Sequence, residues 1–437
     1  MTDSSTTLER AHQLLTAEDD GRACRDIPDE ACREQPANFF THVATLACTK
    51  TGDGLIDPKL VLSWLVNALG APAGFVGLLV PVREAGSLLP QLVSSGWIRS
   101  MPQRKWAWAA GSLVQALAVM GIAAAAMLLR GAEAGIAITA LLAVFALGRS
   151  VCSVSYKDVL GKTVSKATRG TATGTASTLA AAGVLTFGIL LATGILPRTI
   201  PVIVAVLLLA ATLWITAALL MARLHEEAGS TEGGRTPLSV VRENLTRLTT
   251  DRQLLIYILT RGLLTTTAIA PPYIVMLDQR DAGYSRLGWF VIASSLAALL
   301  STYAWGRLAD RSSRWVLILS ALIAAAILAS TATLAWIMPN ASTLYLMLPF
   351  CLFALMIAYQ GVRLGRSVHL VDMATPETRA AYTALSNTII GALLLLTSGF
   401  GIIAQAYGTP AVLALFAILC ALAAVSAFAL KEVQSDD

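Results

Sequence analysis

Apolar residues run in twelve stretches of about 22 to 26, near 39–64, 72–95, 106–129, 134–156, 172–195, 200–222, 253–277, 284–305, 315–338, 343–367, 381–406 and 409–430. A helix rises about 1.5 Å per residue, so about 20 apolar residues cross the hydrocarbon core of a bilayer. The pattern predicts an all-α polytopic membrane protein of twelve transmembrane helices. The longest interruption, residues 223–252, holds Glu226, Glu227, Gly229, Gly233, Gly234, Arg235 and Pro237, the makeup of a flexible linker. It divides the chain into an N-terminal tail (1–38), a first six-helix bundle (39–222), the linker, a second six-helix bundle (253–430) and a C-terminal tail (431–437).

An internal repeat supports the division. Leu147-Gly148-Arg149-Ser150-Val151 closes the fourth span and Leu364-Gly365-Arg366-Ser367-Val368 closes the tenth. Each is followed by a charged loop leading to Arg169-Gly170 or Arg379-Ala380. The first loop reads as about seven residues the longer. Parallel repeats of six helices are a transporter architecture.

Composition agrees with the pattern: 56% of residues are hydrophobic and 14% charged, with a mean hydropathy of +0.67. A soluble protein of this length needs more polar surface. The net charge of +5 is a topology signal rather than a nucleic-acid footprint. Only Arg130, Arg198, Arg280 and Arg286 lie on the side away from the linker, and Lys50, Lys59, Arg83 and Arg261 fall inside spans. The other basic residues gather on the linker side, which places both termini in the cytoplasm of a bacterial inner-membrane protein. Residues 1–37 are acidic and polar, unlike a signal peptide. They predict a short helix around Leu8–Thr16 and otherwise a solvated leader.

No metal or cofactor is expected. The six cysteines and four histidines lack ligand spacing, Cys24 and Cys32 suggest no redox role, and no phosphate-binding loop or activated nucleophile is present. The chain does not read as an enzyme.

Charge in hydrocarbon costs about 2.5–3.5 kcal/mol on insertion scales, so it must face protein or water. The third, sixth, ninth and twelfth spans carry none, which suits them to lipid, while the first, fourth, seventh and tenth read as cavity-facing. Lys50, Asp53 and Asp57 share one face of the first span, which Gly52, Gly54 and Pro58 interrupt. By helical rise Asp53 lies about 20 Å from the linker side, and Glu84, beside Arg83, about 18 Å from the other. Asp53 or Glu84 could carry a coupling proton, form a fixed ion-pair network, or touch solute directly. Asp57 and Lys59 could also sit in the outer interface. Arg261 lies about 12 Å into the seventh span without an acidic neighbour there, so it either snorkels or serves an anion or an ion pair between the halves. Arg149, with Gln360, Arg363 and Arg366, reads as a positive-inside anchor or as a steering group for an anionic solute.

Between the eighth and ninth spans stands Gly306-Arg307-Leu308-Ala309-Asp310-Arg311-Ser312-Ser313-Arg314. With the linker and the repeat, this segment resembles the signature of the major facilitator superfamily, with Ser313 where a glycine is usual. The resemblance covers residues 39–430 and implies a central cavity open alternately to each side. It also implies a gate latch at Gly306, Asp310, Arg311 and Arg314, in which Asp310 accepts from helix-end amides or pairs with an arginine and Arg311 and Arg314 meet lipid headgroups. The matching loop after the second span, Gly96 to Lys105, keeps the glycine and the basic end but lacks the aspartate. The expectation is a monomeric secondary transporter of a small organic solute, proton-coupled, with membrane lipids and no nucleic acid as partners, and with the arginine excess favouring an anionic solute. The rival is a membrane protein of the same fold that serves as an assembly factor or sensor and moves nothing.

Overall fold

A computed structural model describes residues 32–165, 168–229, 250–278, 286–338, 342–375 and 378–434, with positions 231, 239 and 242. The helix expected around Leu8–Thr16, Arg280 and most of the linker lie outside the described residues. Among the described residues ten crossings are long and apolar enough to span a bilayer. The first two expected spans are each two helices, the first broken around Pro58 and the second at Pro90. Crossing 1 is α1 (Gln35–Leu55) and α2 (Val61–Ala68); crossing 2 is α3 (Ala73–Leu88) and α4 (Gln91–Arg99). Crossings 3 to 6 are α5 (Lys105–Leu128), α6 (Gly131–Thr163), α7 (Arg169–Ala192) and α8 (Ile200–Arg223). Crossing 7 comprises α9 (Arg252–Leu264), α10 (Thr266–Ile269) and α11 (Pro271–Asp278). Crossings 8 to 10 are α12 (Leu287–Arg311), α13 (Ser313–Ile337) and α14 (Ser342–Met373). Crossing 11 is α15 (Arg379–Leu396) and α16 (Phe400–Tyr407), and crossing 12 is α17 (Thr409–Phe428).

The halves meet through crossings 1, 2 and 5 on one side and 7, 8 and 11 on the other. Crossings 3, 6, 9 and 12, whose few charges stand at their ends, pack chiefly within their own halves. They turn residues such as Leu117, Leu209, Leu322 and Val425 outward, as lipid-facing helices must. The seam between the halves is tight on the side away from the linker. A methyl placed at Gly77 would lie 2.8 Å from the Gly401 Cα, and one at Gly401 would lie 2.9 Å from the Gly74 Cα. Gly188 abuts the Ile292 amide and Gly288 abuts Leu191 and Ala192, joining crossings 5 and 8 at the same level. Small residues allow this backbone approach, the only way two helices come so close.

The repeat is real, but not where the five-residue match puts it. The loops at 164–168 and 374–378 are equal in length and share their bonds. Arg169 Nη2 donates to the Gly161 carbonyl and Arg379 Nη2 to the Val371 carbonyl, each reaching back eight residues. Ser165 with Thr168 and Thr375 with Thr378 form the same hydroxyl pair. The seven extra residues after Arg149 are therefore helix, not loop. Seven residues make nearly two turns, so Arg149 keeps its direction but moves about 10 Å deeper than Arg366.

The head of the linker is also fixed rather than flexible. Glu226 accepts from the Arg104 and Lys105 amides at the start of crossing 3 and pairs with Lys162 at 3.1 Å. Asp158 supplies the carboxylate that the loop after crossing 2 lacks, pairing with both Arg104 and Lys162. The C-terminal tail does the same for the other half: Glu432 accepts from Ser312, and Gln434 bonds Ser313 and Asp372. Cys32 is disulfide-bonded, while Cys48, Cys152, Cys351 and Cys420 are free thiols.

Candidate functional site

Asp53, on crossing 1, spends both carboxylate oxygens on arginines: Oδ1 on Arg83 of crossing 2 and Oδ2 on Arg149 of crossing 4, each at 2.9 Å. Arg83 reaches on to Glu84 Oε1 at 3.0 Å. Glu84 lies about 16 Å along its crossing from Ala73, near mid-membrane. Arg149 thus belongs to this central network and is not an anchor at the membrane surface, a consequence of the two helical turns beyond it.

Lys59 and Asp57 are not in the outer interface. Pro58 unwinds crossing 1 between Ile56 and Leu60, and the freed groups are met locally. The Lys59 amide donates to Asp57 Oδ1 at 2.9 Å, and Ser63 Oγ donates to the Pro58 carbonyl at 2.6 Å. Irregular backbone at this depth survives only with such partners. The turn drives Lys59, 7% exposed, across to the other half, where its ammonium sits 3.5 Å from the centroid of the Tyr359 ring. Sequence reasoning passed over Tyr359; its signal is that it stands 210 residues after Arg149, the spacing between Arg169 and Arg379.

Arg261 does not snorkel. It is 7% exposed, and its guanidinium donates to Ser386 Oγ at 2.6 Å and Asn387 Oδ1 at 2.9 Å on crossing 11, while Nε is buried without a hydrogen-bond partner. Lys50 behaves alike in the first half, donating to Ser177 Oγ of crossing 5 at 2.5 Å. A cavity of about 60 Å³ between the halves is walled by Glu84, Arg261, Thr265, Tyr359, Arg363 and Arg366 among others. Gln360, next to Tyr359, is half-buried and does not line it. Two larger hollows, at Asp251–Gln253 and between crossings 7 and 11 at Leu255–Leu263, lie outside this charged centre.

The segment between crossings 8 and 9 is helix up to Arg311, and Ser312 caps the next helix by accepting from the Trp315 amide. Asp310 and Arg311 are exposed, and neither forms an ion pair or hydrogen bond among the described residues. Arg314 donates to the Phe428 carbonyl at 2.7 Å, and Gly306 has open space beside it. Asp310 therefore makes neither of the contacts expected of it in this conformation. Among the described residues no three His, Cys, Asp or Glu side chains come together in a way that could hold a metal.

Residues 253–436 match the family model of the Major Facilitator Superfamily. Solved structures extend the likeness to about nine-tenths of the chain. The nucleoside transporter NupG superposes with a TM-score of 0.69 at 13% identity, over 90% of this chain and 98% of that one. The xylose transporter XylE from E. coli, in an inward open conformation, gives 0.67 at 13% identity over 91% and 97%. The chain has the fold of the Major Facilitator Superfamily. A D-xylose-proton symporter likewise aligns with this chain at a TM-score of 0.66 and 13% identity, over 91% of this chain and 98% of its own. No curated protein matches the chain in sequence. The charged cavity lies where the two bundles meet.

Proposed function

We propose that this chain is a secondary transporter that carries a small organic solute across a bacterial inner membrane by rocking its two bundles, coupled to protons. The observation that supports this most is a mid-membrane cavity whose wall takes Glu84 from one half and Arg261, Tyr359, Arg363 and Arg366 from the other. Glycine contacts seal it on the side away from the linker. That side is periplasmic on the charge distribution, and on the opposite side Asp310 makes neither contact of a latch among the described residues. Alternating access needs a seam of this kind, tight enough to close and small enough to part.

Glu84 is the better proton carrier of the two carboxylates. Asp53 has both oxygens on arginines, whereas Glu84 has one, and its Oε2 takes no hydrogen bond or ion pair among the described residues. A carboxylate in a cavity wall with one oxygen free can pick up a proton from one side and release it to the other. In proteoliposomes, a pH gradient is expected to accelerate net solute flux, and Glu84→Gln is expected to cut that acceleration at least tenfold while leaving solute-for-solute exchange. Gradient-driven flux that survives in Glu84→Gln removes this residue from coupling. A protein that folds and binds but moves no solute under any gradient favours the assembly or sensor reading.

A further inference from the structure

Two hollows on crossing 7 stand outside the charged centre. The deeper, of about 410 Å³, is a groove between crossings 7 and 11 lined by Leu255, Leu259, Gly262, Leu393, Leu396 and Phe400 among others. From Leu255 to Thr265 is about 15 Å of helical rise, half of a hydrocarbon core of about 30 Å. The groove's threonines add no polarity, since Thr265 donates to the Gly262 carbonyl and Thr397 to the Leu394 carbonyl, each at 2.6 Å. Leu255, Leu259 and Leu396 are half exposed or more, so the groove opens sideways to the bilayer. The repeat-related place in the first half is closed. Gly183 of crossing 5, 210 residues before Leu393, would put a methyl 3.2 Å from Thr51 of crossing 1, and one on Gly54 would lie 2.2 Å from Val184. Crossing 11 carries Leu393, Leu396 and Phe400 where crossing 5 carries Gly183, Thr186 and Leu190, and this bulk holds it off crossing 7. The second hollow, of about 860 Å³, lies at the linker-side end of crossing 7, where Asp251–Gln253 meet Tyr382, Ala429 and Lys431. Gln253 ties crossing 12 to crossing 7 there, donating to the Ala429 carbonyl at 3.4 Å and accepting from the Lys431 amide at 2.9 Å. That brings Arg252 and Lys431, both exposed, to one rim, and neither forms an ion pair among the described residues. The acid of this hollow, Asp251, is spent on the Gln253 and Leu254 amides and the Tyr382 hydroxyl, and the rim stays net positive.

We propose that an anionic phospholipid of the linker-side leaflet binds here, its phosphate at Arg252 and Lys431 and one acyl chain in the groove between crossings 7 and 11. The cations and the groove sit at the two depths where a lipid of that leaflet carries its head and its chain, and basic residues at the surface attract anionic lipid. A soluble anion would meet the rim and leave the groove; a neutral lipid would do the reverse. The inner end of the chain reaches Thr265, which also walls the central cavity. It passes Arg261, whose bonds to Ser386 and Asn387 tie crossings 7 and 11 together. The lipid thus wedges two helices of the cavity wall, and their spacing depends on it. None of this requires that a solute be transported.

The full chain in phosphatidylcholine nanodiscs receives, at equal mole fraction, phosphatidylglycerol or phosphatidylcholine with a photoreactive group in one acyl chain, and adducts are mapped by mass spectrometry. Phosphatidylglycerol is expected to label Leu255–Leu263 and Leu393–Phe400 about fivefold or more above phosphatidylcholine. At Leu322, exposed on crossing 9, the two are expected to label alike. The double variant Arg252→Gln/Lys431→Gln is expected to bring groove labelling by phosphatidylglycerol down to that by phosphatidylcholine. Gly262→Leu, which fills the groove, is expected to reduce labelling there by both probes to the level at Leu322. Should it fail to fold, Leu259→Trp, at a half-exposed position, replaces it. Equal labelling of the groove by the two lipids, a preference that survives loss of both cations, or groove adducts no denser than those at Leu322 would overturn the proposal.

Discussion

Asp53→Asn is expected to lower the stability of the purified protein by about 3 kcal/mol, the low end for breaking a buried ion pair by removing one partner. The low end applies because the three side chains keep 15–33% of their surface exposed. The loss arises less from the missing attraction than from what stays behind, since Arg83 and Arg149 would face each other across a neutral amide. Glu84 could answer only Arg83. The double variant Asp53→Asn/Arg149→Gln removes one orphaned charge and is expected to regain part of the loss, a non-additivity that contacting residues show and distant ones do not. Thermal unfolding of the two variants beside the wild type decides it. If Asp53→Asn melts with the wild type, the network does not fasten crossings 1, 2 and 4, and Asp53 returns as a coupling residue.

Gly401→Val is expected to reduce net flux by an order of magnitude or more while leaving each bundle folded. Its side chain would meet the Gly74 backbone, whose Cα and carbonyl oxygen lie 2.9 and 3.0 Å from the position of a Cβ. Backbone cannot swing aside as a side chain can, so the only relief is separation of crossings 2 and 11. The contact lies between halves, so separating them costs little within either core. The variant is expected to favour a conformation open on the side away from the linker, where cavity residues become accessible to a membrane-impermeant reagent added from that side. Wild-type flux in Gly401→Val would mean that the seam is not closed during transport.

Much of this molecule is legible in its sequence because hydrocarbon imposes one length and one polarity on whatever crosses it. Crossings 3, 6, 9 and 12 are read from the absence of charge, and the structure leaves them at the periphery. Depth is harder to read than direction. Arg149 and Arg366 sit in identical pentapeptides, yet two turns of helix separate their levels, and a count to the span boundary cannot see that. The position of Lys59 stays open in the sequence for a related reason: Pro58 replaces helix with turn, and a rise of about 1.5 Å per residue no longer holds across it. The partners of Arg261 were invisible because Ser386 and Asn387 are ordinary residues on a different crossing. The docking of Glu226 and Glu432 had a faint signal, an acidic residue a few positions beyond crossing 6 and another beyond crossing 12. Only the folded halves show that both reach the loop that opens crossing 3 or crossing 9.

Spin labels offer the most direct test that two bundles rock about a charged centre. One pair at Ile195 and Tyr407, both strongly exposed at the sealed end, and one at Ser100 and Arg311, exposed on the linker side, report the two ends separately. On adding a transported solute, distances at the two ends are expected to redistribute in opposite senses, one shortening as the other lengthens. Distance distributions that stay fixed at both ends, with solute bound, would contradict the account.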